Sequence, residues 1–146
     1  MLKYLVVLSM FVAATAPAAA GDASDVVRVF YDDPAALSDP GKRALFTGPA
    51  LNFLNAADAA WDRDETVCID FGFAVDAQDY DDAEILRTLQ LDETVSGNTA
   101  SVIAQFDNFG QPTRIEWTLS KDAGSWLVSD IASEANQWRV SNMVCE

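Results

Sequence analysis

The chain has 146 residues, of which 23 are acidic, nine basic and none histidine, for a formal net charge of −14. That balance repels nucleic acid and anionic lipid surfaces and favours cationic partners or divalent ions. The lack of histidine removes Ser-His and Cys-His catalysis and the commonest metal ligand.

In residues 1–20, Lys3 is the only charge before Asp22, Tyr4 to Ala13 is an almost unbroken apolar run, and the stretch closes on Ala18-Ala19-Ala20. A basic start, a short apolar centre and small residues at the minus-three and minus-one positions predict a secretory signal peptide cut after Ala20. The run is too short to span a membrane and no second one follows, so no transmembrane helix is expected. Residues 21–146 then form one soluble domain, periplasmic or secreted, large enough to bury a single core. Its only cysteines are Cys68 and Cys145. An even pair in an oxidising compartment predicts one disulfide, tying an early strand to the end of the chain. With no Cys-x-x-Cys and no basic residue close to either, a redox role is not expected.

Residues 22–33 open on polar residues that suit a helix N-terminus, and Val26, Val27, Phe30 and Tyr31 form a stripe at helical spacing. Asp33-Pro34 ends that helix, and 34–43 is a connector with a helical turn. Thr47-Gly48-Pro49 begins a second helix whose Ala50, Phe53, Leu54, Ala57 and Trp61 share one face. Thr66–Phe71 reads as a strand, 74–84 as an acidic connector, and Ile85–Leu91 as a strand by position, though Leu and Arg suit a helix equally. Ser96-Gly97-Asn98 is a turn. Ala100, Val102, Ala104 and Phe106 alternate as in a half-buried strand, and after a turn at Asn108-Phe109-Gly110 so do Ile115, Trp117 and Leu119. Lys121–Gly124 is a hairpin turn, Trp126–Ile131 the last strand, and Trp138–Met143 a short helical turn. Helices followed by an antiparallel meander define the α+β class. A curved sheet wrapped over two helices would make a cone-shaped half-barrel.

Four segments run in the order of a known family: Val27-Arg28-Val29-Phe30-Tyr31, Asp70-Phe71 through Ala77-Gln78-Asp79-Tyr80, Asn108-Phe109-Gly110-Gln111-Pro112, and Trp126-Leu127-Val128-Ser129-Asp130-Ile131. Through them residues 21–146 resemble the bacterial envelope family called domain of unknown function 3828, within the nuclear-transport-factor-2-like (ketosteroid-isomerase-like) superfamily. The resemblance implies the cone, or cystatin-like, fold. It implies no reaction, since the superfamily mixes enzymes with binding modules. Two departures stand out: Pro34 meets the opening helix early, and the closing pattern is reduced to Trp138-Arg139-Val140.

Asp76, Asp79, Asp81, Asp82 and Glu84 crowd five carboxylates into nine residues. They could hold calcium, but position six of a calcium loop counted from Asp76 is Asp81 rather than Gly, and position twelve is Arg87 rather than Glu. A solvated acidic loop pinned by Gln78-Asp79 fits better, and no metal or cofactor is expected. Superfamily enzymes pair a carboxylate in an apolar cavity with a tyrosine hydroxyl; ketosteroid isomerase is a known example of that carboxyl tuning. Asp70, Asp130, Tyr31 and Tyr80 supply those groups here, with Arg114 and Glu116 placed to project from the sheet, but no spacing fixes a pair. Asp130 reads equally as a strand-ending acceptor of backbone amides. Of the tryptophans, Trp61, Trp117 and Trp126 read as core, and Trp138 as partly exposed. No Gly-x-Ser-x-Gly or phosphate-cradling loop occurs. The expected function is therefore non-catalytic: binding of a small ligand in the mouth of the cone, or docking on an envelope protein. Tyr31, Asp79 and Asp130 are the candidate ligand-site residues. A small isomerase, dehydratase or hydrolase using a carboxylate–tyrosine pair is the alternative, and a homodimer is compatible with either.

Overall fold

The computed structural model describes residues 21–146, so the expected signal peptide, residues 1–20, lies outside the described residues. Helix α1 (Asp22–Asp32) leads through two 3-10 turns, Pro34–Leu37 and Pro40–Leu45, into α2 (Gly48–Asp64). Irregular chain follows to α3 (Asp82–Thr88). Strands β1 (Gln90–Ser96), β2 (Thr99–Asn108), β3 (Gln111–Asp122), β4 (Ser125–Ser133) and β5 (Trp138–Arg139) then form one antiparallel meander in sequence order. No helix among the described residues is long and apolar enough to cross a membrane.

The helices cover one face of the open sheet. Strict alternation buries Ala100, Val102, Ala104 and Phe106 of β2 and Ile115, Trp117 and Leu119 of β3 against them. On β4 the alternation breaks. Leu119 pairs with Val128 but Thr118 with Asp130, so Ser129 is an extra, bulged residue. Without the bulge Asp130 would follow Trp126 and Val128 inward. With it, Asp130 turns to the uncovered face and Ile131 joins the core at 1% exposure. At the centre Phe30 stacks on Trp117 with centroids 5.2 Å apart, and Tyr31 meets Phe106 and Trp117 edge-on. The N-terminus of α1 has no cap of its own, because position 21 is Gly. The Glu93 carboxylate of β1 accepts the Ser24 N–H at 2.7 Å in its place.

Four expectations need correcting. Thr66–Phe71 is not a strand but irregular chain, and the one isolated bridge nearby, Gly72 to Ala77, follows it. A strand needs a free ladder to join, and the outer edge of β4 is already taken by Phe46, which bridges Val128, and by β5. Ile85–Leu91 divides into the end of α3 and the start of β1. The Asp81 carboxylate accepts the Glu84 N–H at 3.1 Å, which nucleates a helical turn ahead of Ile85. Trp61 is 54% exposed: the inner stripe of α2 continues from Ala57 through Ala60, leaving Trp61 on the shoulder beside Arg43 and Asp58. At the C-terminus, the segment read as a helical turn begins as β5 and turns only at Val140–Asn142.

Candidate functional site

An apolar, half-open cleft of about 450 Å³ lies between the Pro34–Leu37 turn and the segment 69–80. Its first wall follows from the chain break after α1. Pro34 cannot continue the helix, and the Asp33 carboxylate accepts the Ala35 N–H at 3.2 Å, which folds the next residues into a 3-10 turn. Its second wall is irregular chain held by cross-links rather than by a ladder. The Cys68–Cys145 disulfide fixes its start. The Gly72 N–H donates to the Ala77 carbonyl at 2.9 Å, and the Gly72 carbonyl accepts the Asp76 N–H at 2.8 Å. A Cβ on Gly72 would lie 2.9 Å from a Val75 methyl, so a side chain there would force Val75 to shift. Gln78 Nε2 donates to the Asp70 carbonyl at 3.0 Å and ties the two arms together. Behind the wall, Phe71 meets Phe73 and Trp138 edge-on at 5.1 and 5.3 Å. The result is an apolar floor with Asp70, Gln78 and Tyr80 at its rim, all three exposed.

The acidic cluster is largely spent on protein donors. Asp76, at φ 55°, accepts from Asn136 Nδ2 and Trp138 Nε1, each at 2.7 Å. Asp81 caps α3, and both Glu84 carboxylate oxygens accept the Gly110 N–H at 3.2 Å. No group of three or more His, Cys, Asp or Glu side chains is arranged to hold a metal among the described residues.

The structure does not bring the three candidate residues together. Tyr31 lies in the core at 2% exposure, where its hydroxyl accepts a hydrogen bond from Trp117 Nε1 at 3.2 Å. Burial pushes that hydroxyl far above its ordinary pKa, and the Trp117 hydrogen bond offsets the rise only in part. Asp130 lies on the opposite face of the sheet. It accepts from the backbone N–H groups of Ile131 and Ser141, from the Ser141 hydroxyl and from Arg139. Arg139 also reaches Glu116 at 3.2 Å, and hydrogen bonding to Asp130 and then to Glu116 raises the guanidinium pKa further. Glu116 and Arg114 do project from the uncovered face, while Ile115 and Trp117 face the helices. Asp79 is exposed; its carbonyl accepts Asn108 Nδ2 at 3.2 Å. Sequence reading missed the wall formed by Ala35, Leu37 and Phe71. The apolar character of 66–75 was visible, but its composition is equally that of a strand.

No protein-family model and no curated protein sequence matches the chain. Its fold is similar to that of one chain in the native crystal structure of the type VI effector–immunity complex Tae3-Tai3 from Ralstonia pickettii, with a TM-score of 0.56 and 15% identity over 80% of this chain and 97% of that one. The selenomethionine form of the same complex gives a TM-score of 0.56 and 14% identity over 78% and 97%. At that identity the likeness establishes the α+β architecture of helices on an antiparallel sheet.

Proposed function

We propose that this chain is a non-catalytic protein-binding module of the cell envelope, and that the cleft between Pro34 and Tyr80 receives apolar side chains of its partner. The observation that carries this reading is where the empty space lies. A ligand in the mouth of a cone needs room between helices and sheet, and Trp117, Phe30 and Tyr31 fill that room at 0–2% exposure. Of the surface concavities, a larger one of about 560 Å³ beside Arg87, Gln90 and Arg114 is lined mostly by polar and charged side chains, whereas the cleft between Pro34 and Tyr80 has the apolar floor that suits an anchor side chain from another protein. The similar fold found within an effector–immunity complex supports a role in binding protein. We read the architecture as the cone half-barrel of the nuclear-transport-factor-2-like superfamily and the chain as a relative of the domain of unknown function 3828 family. The Cys68–Cys145 disulfide and the leader-like N-terminus support a periplasmic or secreted location.

The enzymatic alternative has one site to use, because Asp70 and Tyr80 both line the cleft. Both are exposed to water, however, and the isomerase type of chemistry needs a carboxylate shielded in an apolar cavity.

A photo-crosslinking residue at Ala35, in the exported protein in its native cell, tests the reading against the same residue at Lys121 on the far hairpin. One discrete protein adduct at Ala35 and none at Lys121 is expected. A stoichiometric small molecule retained in native mass spectra, with no protein adduct, would overturn it.

A further inference from the structure

We infer that Phe109, at the tip of the β2–β3 hairpin, is a second anchor on the same docking surface, and that the partner meets it with an apolar socket rimmed by lysine and arginine. The inference rests on the protein-binding reading of the neighbouring cleft.

Asn108 pairs with Gln111, so Phe109 and Gly110 alone make the turn, with φ of 49° and 74°. A two-residue turn with positive φ at both positions normally takes Asn, Asp or Gly first. The other two tips of two residues follow that economy with small or polar pairs, Gly97-Asn98 and Ala123-Gly124. Here a phenylalanine occupies the left-handed position and is 62% exposed. It packs little of its ring into the fold, and its backbone conformation is one that large side chains avoid. The residue is therefore a cost to the isolated domain that contact with a partner would offset.

The tip is also held rigidly. Asn108 Oδ1 accepts the Asp81 N–H at 3.0 Å, Asn108 Nδ2 donates to the Asp79 carbonyl, and the Gly110 N–H donates to Glu84. These bonds lock the hairpin to segment 79–84, so the ring is displayed without the ordering cost of a floppy loop. The same segment joins the two anchors: Tyr80 lines the cleft, while Asp81 lines the hollow beneath Phe109.

Charge then selects the partner. Asp81 and Glu84 line the hollow beside the ring together with Arg87, and Asp79, Asp82 and Asp107 lie next to them or to the hairpin tip in the chain. A second copy of this chain would set acid against acid, and an anionic lipid surface would be repelled; a basic rim on the partner is complementary.

The test places the photo-crosslinker at Phe109 and, separately, at Ala35 in the exported protein. Both positions should label the same protein, at an apolar site flanked by Lys or Arg, with yield falling as NaCl rises from about 0.1 to 0.5 M. In the Ala35 background, Phe109→Gly keeps the positive φ and should cut the adduct about thirtyfold, as expected for a central anchor. Asp79→Lys with Asp82→Lys should cut it severalfold; neither residue makes a fold contact through its carboxylate that the hairpin uses. An Ala35 adduct that survives all three substitutions overturns the inference and leaves the cleft reading standing. So does a Phe109 adduct with a second copy of this chain. Loss of adducts at both positions in the unmodified protein overturns both.

Discussion

Replacing Cys68 and Cys145 with serine should cost the domain about 4.5 kcal/mol. The bridge joins residues 77 apart in sequence. In the chain-entropy relation a loop of roughly that length removes about 15 cal/mol/K from the unfolded chain, hence about 4.5 kcal/mol at 25 °C. A domain of this size has only about 5–15 kcal/mol to lose. With an unfolding entropy of roughly 2.1 cal/mol/K per residue, the loss corresponds to a Tm lower by about 17 °C. Urea titration followed by tryptophan fluorescence suits the measurement, because Trp117 is fully buried in the native state. The slope of stability against urea should rise in the variant, since an unlinked unfolded chain exposes more surface. A loss below about 1 kcal/mol with an unchanged slope would refute the reasoning. It would mean that the unfolded chain already holds its two ends together without the bond. The same substitution frees the residues just after Cys68 that wall the cleft, so partner adducts at Ala35 should weaken even under conditions where the domain remains folded.

Three further results are expected. Tyr31 keeps its proton in the folded protein above pH 10 while the unfolded chain gives its proton up, so unfolding releases a proton there. Stability should then fall by about 1.4 kcal/mol per pH unit above pH 10, and Tyr31→Phe should remove that extra fall in urea titrations at pH 9, 10 and 11. At neutral pH the same variant strands Trp117 Nε1 in the core and should cost about 1–3 kcal/mol. Asp76→Ala leaves Trp138 Nε1 and Asn136 without their acceptor and should cost about 2 kcal/mol in thermal melts; Asp76→Asn, which keeps an acceptor and tolerates positive φ, should cost less. Asp130→Ala removes the acceptor for the Ser141 amide, so hydrogen exchange at Ser141 should speed by about tenfold or more while β2 and β3 stay protected.

The sheet was legible in the sequence because its signal is local. Alternation at Ala100–Phe106 and Ile115–Leu119, with a turn-forming pair between, admits one pairing and one buried face. The first two helices were legible from Pro34 and Gly48-Pro49, which punctuate them through backbone geometry alone, whereas α3 was not. What escaped was whatever depends on a distant partner. Segment 66–71 has the composition of a strand, yet Phe46 and Trp138–Arg139 had already claimed the outer edge of β4. The β4 bulge leaves no mark in Trp126–Ile131, and it decides whether Asp130 faces a cavity or the C-terminal turn. For the same reason Tyr31 was not recognisable as a core hydroxyl: its partner, Trp117, lies 86 residues away in sequence.

The acidic segment shows how one composition serves two ends. Five carboxylates in nine residues repel one another, so in isolation the stretch should be extended and mobile. Here Asp76, Asp81 and Glu84 each accept hydrogen bonds: from Trp138 and Asn136, from the first turn of α3, and from the β2–β3 hairpin. Charge-assisted bonds of this kind are the stronger class, and several of them link elements far apart in the chain. They turn a repulsive stretch into a strut between the cleft and the hairpin. Asp79 and Asp82 stay exposed, and they leave the outer surface of the strut strongly negative. Rigidity and field thus come from different members of the same run. Neutralising the inner set should loosen both anchors, whereas neutralising the outer set should weaken only the salt-sensitive part of binding.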